Sequence, residues 1–302
     1  MKIAIIGAGN VGASIASLLL SRQMCDNIAL IDINSNLAKA KAIDLSQMAI
    51  ALSQSAKVVG GDDYKLLENF DIAIITAGVA RKDGQSRSEL AKINANIVAD
   101  ASKKIAKFAP NSTIIVVTNP LDIMVYVAYK SSGFNKSKII GMAGELDSAR
   151  LKFSLQNYLN KDMKDSKSCV IGMHNDSMIC LSSENLNSNE LENIKSQTIN
   201  GGALIVKLMN TSAFYAPAAG VINICQALIY GNPKPLSCSV LDDNLVAFSR
   251  LVKIDKKLFR LAIEKRGTLP YTTGEGKTYD DKYKTNVCWW TNGFWPGMMW
   301  LM

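Results

Sequence analysis

A glycine turn near the start of the chain limits what it can fold into. Lys2 to Ile6 is a short apolar run, and it leads directly into Gly7-Ala8-Gly9-Asn10-Val11-Gly12. This G-x-G-x-x-G follows a strand-like run and opens a helical pattern at Val11 to Ser21, the context in which the motif is informative. Gly7 allows the tight turn, Gly9 lets the backbone approach a pyrophosphate, and Gly12 permits close helix–sheet packing. The helix start supplies free N–H donors and a partial positive charge.

Three further apolar runs, Leu30 to Ile33, Ile72 to Thr76 and Ile114 to Val117, alternate with helical patterns such as Ser88 to Phe108. Continuous apolar strands between amphipathic helices predict βαβ units and a doubly wound α/β fold with a parallel sheet covered on both faces. Asp32 closes the second run, twenty residues beyond Gly12. A carboxylate there accepts hydrogen bonds from ribose hydroxyls and repels a 2′-phosphate, which favours NAD over NADP. At 302 residues the chain has room for a second, mixed α+β lobe.

Net charge is +8, and Arg250 to Lys284 carries ten basic and five acidic residues. No basic run is interleaved with aromatics in the manner of nucleic-acid binders, so solvated faces are expected and no nucleic-acid partner. Apolar runs are broken well before the length of a membrane span. Six scattered cysteines without a C-x-x-C point to a reduced, cytoplasmic setting, with no metal site expected. The apolar N-terminus has some features of an export signal, but the spaced glycines inside it argue otherwise.

The chemistry-bearing residues fall in four places. His174 is the single histidine, within Gly172-Met173-His174-Asn175-Asp176-Ser177. Imidazole suits proton transfer near neutral pH, so an enzyme relying on it has only this candidate. Asp147 and Arg150, in Leu146-Asp147-Ser148-Ala149-Arg150, share one face of a helix. Ala80-Arg81-Lys82-Asp83-Gly84-Gln85-Ser86-Arg87 follows a strand end and has the polar, glycine-containing composition of a mobile lid. Thr118-Asn119-Pro120-Leu121-Asp122 stands at another strand end. Ligands of open α/β sheets bind at such ends.

Taken together and in order, G-A-G-N-V-G, A-G-V-A-R-K-D-G-Q-S-R, T-N-P-L-D, E-L-D-S-A-R and G-M-H-N-D-S resemble the lactate/malate dehydrogenase family, from Met1 to about Ser239. The resemblance implies an NAD-dependent enzyme acting on a small dicarboxylate, malate or oxaloacetate, within the tricarboxylic acid cycle. It implies that His174 is the proton donor and acceptor, that Asp147 orients it, and that Arg150 clamps the C1 carboxylate. Arg87 would polarise the reacting carbonyl, and Asn119 would contact substrate near the nicotinamide. Arg81 stands where arginine marks malate enzymes and glutamine lactate enzymes. The implied cofactor set is Gly7, Gly9, Asn10, Val11, Gly12, Asp32, Asn94, Val117 and Asn119. Thr211 to Pro217 resembles the pocket-lining helix, with Ala213 toward substrate. Residues 1–142 would be the NAD-binding domain and 143–302 the substrate domain, the protein being a homodimer or homotetramer.

Asn175 and Asp83 depart from the pattern, standing where the family usually has Gly and Pro. After Val240 two antiparallel strands and a long final helix are expected and cannot be read, so the chain is atypical from about residue 241. Lys253 to Lys265 reads as a basic amphipathic helix, Leu269 to Lys284 is turn-rich, and all four tryptophans fall after residue 288. The alternatives are a lactate or broader 2-hydroxy acid dehydrogenase, or an impaired NAD-binding protein. A short-chain dehydrogenase using Tyr126-x-x-x-Lys130 is a further rival, but its glycine turn would be spaced differently.

Overall fold

The computed structural model describes residues 1–80, 87–231, 234–244 and 246–252, with the pairs 273–274 and 277–278. Six parallel strands form its centre: β1 (Lys2–Ile6), β2 (Asn27–Ile31), β3 (Lys57–Gly61), β4 (Ile72–Ile75), β5 (Thr113–Val116) and β6 (Ile139–Gly141). Their order is β3-β2-β1-β4-β5-β6. The chain winds one way from β1 to β3 and then returns past β1 to β4. The carboxyl ends of β1 and β4 therefore flank a topological switch point, the place where such sheets bind ligands.

β1, β2, β4 and β5 are buried along almost their whole length. This is why they read as unbroken aliphatic runs rather than alternating ones. On one face α1 (Asn10–Ser21) and α7 (Tyr215–Tyr230) bury Ile15, Leu19, Val221 and Ile224 against the sheet. On the other, α3 (Arg87–Phe108) and α4 (Leu121–Ser132) contribute Val98, Ile105, Met124 and Ala128. A smaller core joins α5 (Gly144–Leu159), α6 (Ser188–Met209) and the hairpin of β7 (Cys169–Ile171) and β8 (Ile179–Leu181) through Leu151, Leu155, Val170 and Ile194. The five cysteines among the described residues are free. Among those residues no helix is long and apolar enough to cross a membrane.

The end of the described chain corrects the sequence reading. β9 (Leu236–Leu241) pairs antiparallel with β10 (Ala247–Val252), and β9 extends the main sheet by joining β6 through Gly141 and Ser239. Of the two antiparallel strands expected after Val240, β10 is present, but its partner β9 begins before that point. The pair was hard to read because β9 is buried along its whole length yet built from Ser237, Cys238 and Ser239. The expected amphipathic helix at Lys253 to Lys265, the tryptophans and Arg81 to Ser86 lie outside the described residues.

Candidate active site

The glycine turn forms the first half of the site. Gly7 has φ of +109°, and a Cβ at Gly12 would stand 1.9 Å from the Gly7 carbonyl oxygen. Both positions exclude other residues, whereas a Cβ at Gly9 would meet no protein atom within 4 Å. The turn therefore leaves an open approach to the start of α1, where no side chain caps the helix. Its first N–H groups are the donors that a pyrophosphate takes up.

Asp32, one residue past β2, receives the Ala8 N–H on Oδ2 at 2.7 Å and the Asn34 N–H on Oδ1 at 2.9 Å. Each oxygen keeps a further lone pair, and the side chain is half-buried. Lys41, on α2 (Ser35–Ala51), donates its ammonium to the Ala8 carbonyl at 2.7 Å. No motif in the sequence marks Lys41. Asn10 is exposed and Val11 half-buried at the start of α1, and Val117 is half-buried just after β5.

Asn94, expected in the cofactor set, lies in the first half of α3. It is 1% exposed, and its amide hydrogens go to the Asn119 carbonyl at 2.7 Å and the Val79 carbonyl at 3.2 Å. Its oxygen accepts the Val79 N–H at 2.9 Å. Asn94 therefore braces the loops after β4 and β5 against each other, leaving the Asn119 side chain exposed at the rim.

The second half of the site lies between α4, α5 and the turn after β7. Asp147 sits in the first turn of α5 and is 1% exposed. Its Oδ2 lies 2.6 Å from Nδ1 of His174, and its Oδ1 lies 3.3 Å from Nη1 of Arg150. The helical spacing of Asp147 and Arg150 does bring the two together. Burial pulls the His174 pKa down, but the hydrogen bond to Asp147 and its charge more than offset this, and the net shift is upward. Arg150 Nε is buried and has no hydrogen-bond partner among the described residues. An orphaned guanidinium N–H beside an acid–histidine pair fits an incoming carboxylate.

The guanidinium rests against α6 at Gly202, where a Cβ would stand 3.0 Å from Nη2. A cavity of about 800 Å³ opens alongside, lined by Arg150, Gly201, Ala213 and the outer faces of α5 and α6. It shares Arg150 and Ala213 with the site but does not reach His174. Thr211 to Phe214 precede α7 outside any helix, so only Tyr215 to Pro217 of that segment are helical.

The His174 turn is held from several sides. Gly172, at φ +93°, exchanges both backbone hydrogen bonds with Ser249 of β10. Asn175 is not in the left-handed region, and its side chain accepts the Ser177 N–H at 2.8 Å. The departure from glycine at that position therefore causes no backbone strain. Asp122, quoted in the strand-end motif but not read as part of the site, bonds to the His174 N–H at 2.8 Å. Of the two lid arginines, Arg81 lies outside the described residues, and Arg87 is described in its backbone alone, as the first residue of α3. Tyr126 and Lys130 lie on α4, with the ammonium 5.7 Å from the ring centroid.

Comparison with known proteins follows the same division. Residues 1–141 match the family model for the lactate/malate dehydrogenase NAD binding domain, and residues 144–254 that for the alpha/beta C-terminal domain. The match thus continues through β10, beyond the point where the motifs ran out. The malate dehydrogenase of Neorickettsia sennetsu is 38% identical over 257 residues, covering 80% of this chain and 82% of that one. The crystal structure of Cryptosporidium parvum malate dehydrogenase superposes with a TM-score of 0.79 at 34% identity, over 87% of this chain and 96% of that one. Archaeoglobus fulgidus malate dehydrogenase, solved in complex with NADH, gives a TM-score of 0.77 at 31% identity, over 88% and 100% of the two chains. With its two halves matched in order by the two domain models, this chain belongs to the lactate/malate dehydrogenase family.

Proposed function

We propose that the protein is an NAD-dependent malate dehydrogenase, interconverting malate and oxaloacetate with His174 as the acid–base group. The observation that carries this reading is the buried His174–Asp147 pair at 2.6 Å, next to an arginine whose buried Nε–H has no partner among the described residues. NAD, when bound, supplies the nicotinamide that accepts or gives the hydride. The turn around Gly7, Gly9 and Gly12 and the carboxylate of Asp32 are the groups fitted to hold it.

The direction of proton transfer follows from the geometry. A carboxylate only accepts hydrogen bonds, so the Nδ1 of His174 carries the proton facing Asp147. Nε2 is then the atom that exchanges a proton with substrate. Neutral, it takes the hydroxyl proton of malate; protonated, it gives one to the ketone oxygen of oxaloacetate. Asp147 steadies the ring in this tautomer and favours the charged form. Arg150 holds the C1 carboxylate through its free N–H groups. Arg87 polarises the carbonyl, Asn119 orients the substrate, and Arg81 pairs with the second carboxylate. The NAD-binding domain is residues 1–142 and the substrate domain 143–302, in a cytoplasmic homo-oligomer.

Pyruvate would leave Arg81 enclosed and unpaired, at a cost of about 2–5 kcal/mol. NADH consumption followed with each acid tests this. Oxaloacetate is expected to exceed pyruvate in kcat/KM by about two decades or more. Equal values would remove Arg81 from its role and favour a broader 2-hydroxy acid dehydrogenase.

A further inference from the structure

Asp122 is a second carboxylate buried against the His174 turn, and the mechanism above does not use it. It is 9% exposed and lies in the first turn of α4. Its Oδ2 accepts the His174 N–H at 2.8 Å, and its Oδ1 accepts the hydroxyl of the fully buried Ser239 at 2.6 Å. Three elements distant in sequence thus meet at one carboxylate: α4, the turn between β7 and β8, and β9. An Asn or Ser would suit a helix start and accept the same N–H without the cost of burying a charge. A charge here gains from the first turn of α4 and from a nearby cation, and Arg150 is already engaged by Asp147.

We propose that Asp122 is a positioning residue for His174, its carboxylate braced by Ser239 so that it fixes the backbone from which the imidazole reaches Asp147. It also sets a second negative charge beside the ring. The inference rests on His174 being the acid–base group, but its effect on the ring is measurable without turnover. Among the described residues, the charged groups acting on the imidazole are Asp147 and Arg150 from α5 and Asp122 from α4. Desolvation raises the Asp122 pKa, against the hydrogen bonds from Ser239 and the His174 N–H. Loss of the Ser239 hydroxyl therefore makes this carboxylate easier to neutralise.

The chain contains one histidine, so a protein carrying no histidine tag shows a single imidazole titration by proton NMR. Asp122→Asn keeps an oxygen for the His174 N–H and removes the charge. Its NMR midpoint is expected at lower pH than wild type. The alkaline fall in oxaloacetate reduction should move down with it, and kcat should drop about tenfold, because the single amide oxygen cannot take over both acceptor positions and the brace to Ser239 is lost. NADH affinity, read by fluorescence, is expected to stay within about twofold, since the cofactor groups are untouched. Ser239→Ala should shift the midpoint in the same direction and by less, which keeps the test open if Asp122→Asn does not fold.

An unmoved midpoint in a folded variant overturns the proposal. So does a lowered melting temperature accompanied by unchanged kcat and pH profile. Should the midpoint move as expected in a protein that never reduces oxaloacetate, the positioning role stands and the functional reading fails.

Discussion

Burial disfavours a charged imidazole, and at His174 it is the largest single influence on the ring. The hydrogen bond and charge of Asp147, aided by Asp122, turn the balance toward the protonated form. Stability is linked to that balance. A proton held more tightly by the folded than by the unfolded chain stabilises the fold fully below the unfolded value of about 6.5. That contribution is lost as pH rises through the higher folded-state value. Melting temperatures of wild type and His174→Gln, taken from about pH 5 to about pH 9 across the imidazole range, should therefore differ most at the acid end. A gap that widens with rising pH would contradict the assignment of the ring's environment. At this scale the sequence is readable where chemistry is scarce. A lone histidine has no competitor, and Asp147 and Arg150 are joined by helical spacing. Asp122 was visible in T-N-P-L-D but reads as an ordinary helix start, because its partners His174 and Ser239 lie 52 and 117 residues away. Lys41 had no local signal at all, since its partner is a backbone carbonyl 33 positions back.

Arg150 depends on the helix facing it. α6 carries Gly201 and Gly202 in its interior, where glycine costs about 1 kcal/mol relative to alanine. The stem of Arg150 lies against Gly201 and its guanidinium against Gly202, where a methyl would press on the terminal nitrogens. Two effects of opposite sign follow for Gly202→Ala. Helix propensity should raise the melting temperature slightly, while displacement of the Arg150 fork should raise KM for oxaloacetate by roughly tenfold. NADH affinity should not change. Steady-state kinetics beside a thermal melt decide it, and a stabilised variant with unaltered KM would show that the glycines give Arg150 nothing. Elements were legible in proportion to how local their signals are. The aliphatic parallel strands and the helix after the glycine turn could be read directly, with boundaries a few residues off: β2 begins at Asn27 and ends at Ile31 rather than spanning Leu30 to Ile33. The β9–β10 pair escaped because buried serines satisfied by distant partners look like surface residues. Ser237, for example, bonds the Val170 carbonyl, and Ser239 bonds Asp122.

At the scale of the whole molecule, the glycine turn and α5 follow the carboxyl ends of β1 and β6, and the β7–β8 hairpin brings His174 to Asp147 from a second, smaller sheet, while α2 follows β2 and reaches the glycine turn only through Lys41. α2 buries Ala38, Ala42, Leu45 and Ala49 against the sheet layer. Its other side carries Ile43 at 61% and Ile50 at 75% exposure, with Leu52 at 44% just beyond its end. Ile43 and Ile50 are seven residues apart and so lie on one helical face. An apolar stripe of this kind is costly to leave in water, and burying it against a second copy gains about 25 cal/mol for each Å² covered. The homodimer or homotetramer expected from the family resemblance would use this stripe. Light scattering should then give a mass well above the 32.8 kDa of one chain. Ile43→Glu with Ile50→Glu should lower that mass toward the single chain, because two carboxylates would be forced into an apolar contact. The glycine turn is untouched by these changes, so NADH should still bind and separate loss of assembly from loss of folding. If the double variant keeps the wild-type mass, assembly uses another surface and the exposed isoleucines of α2 need a different explanation.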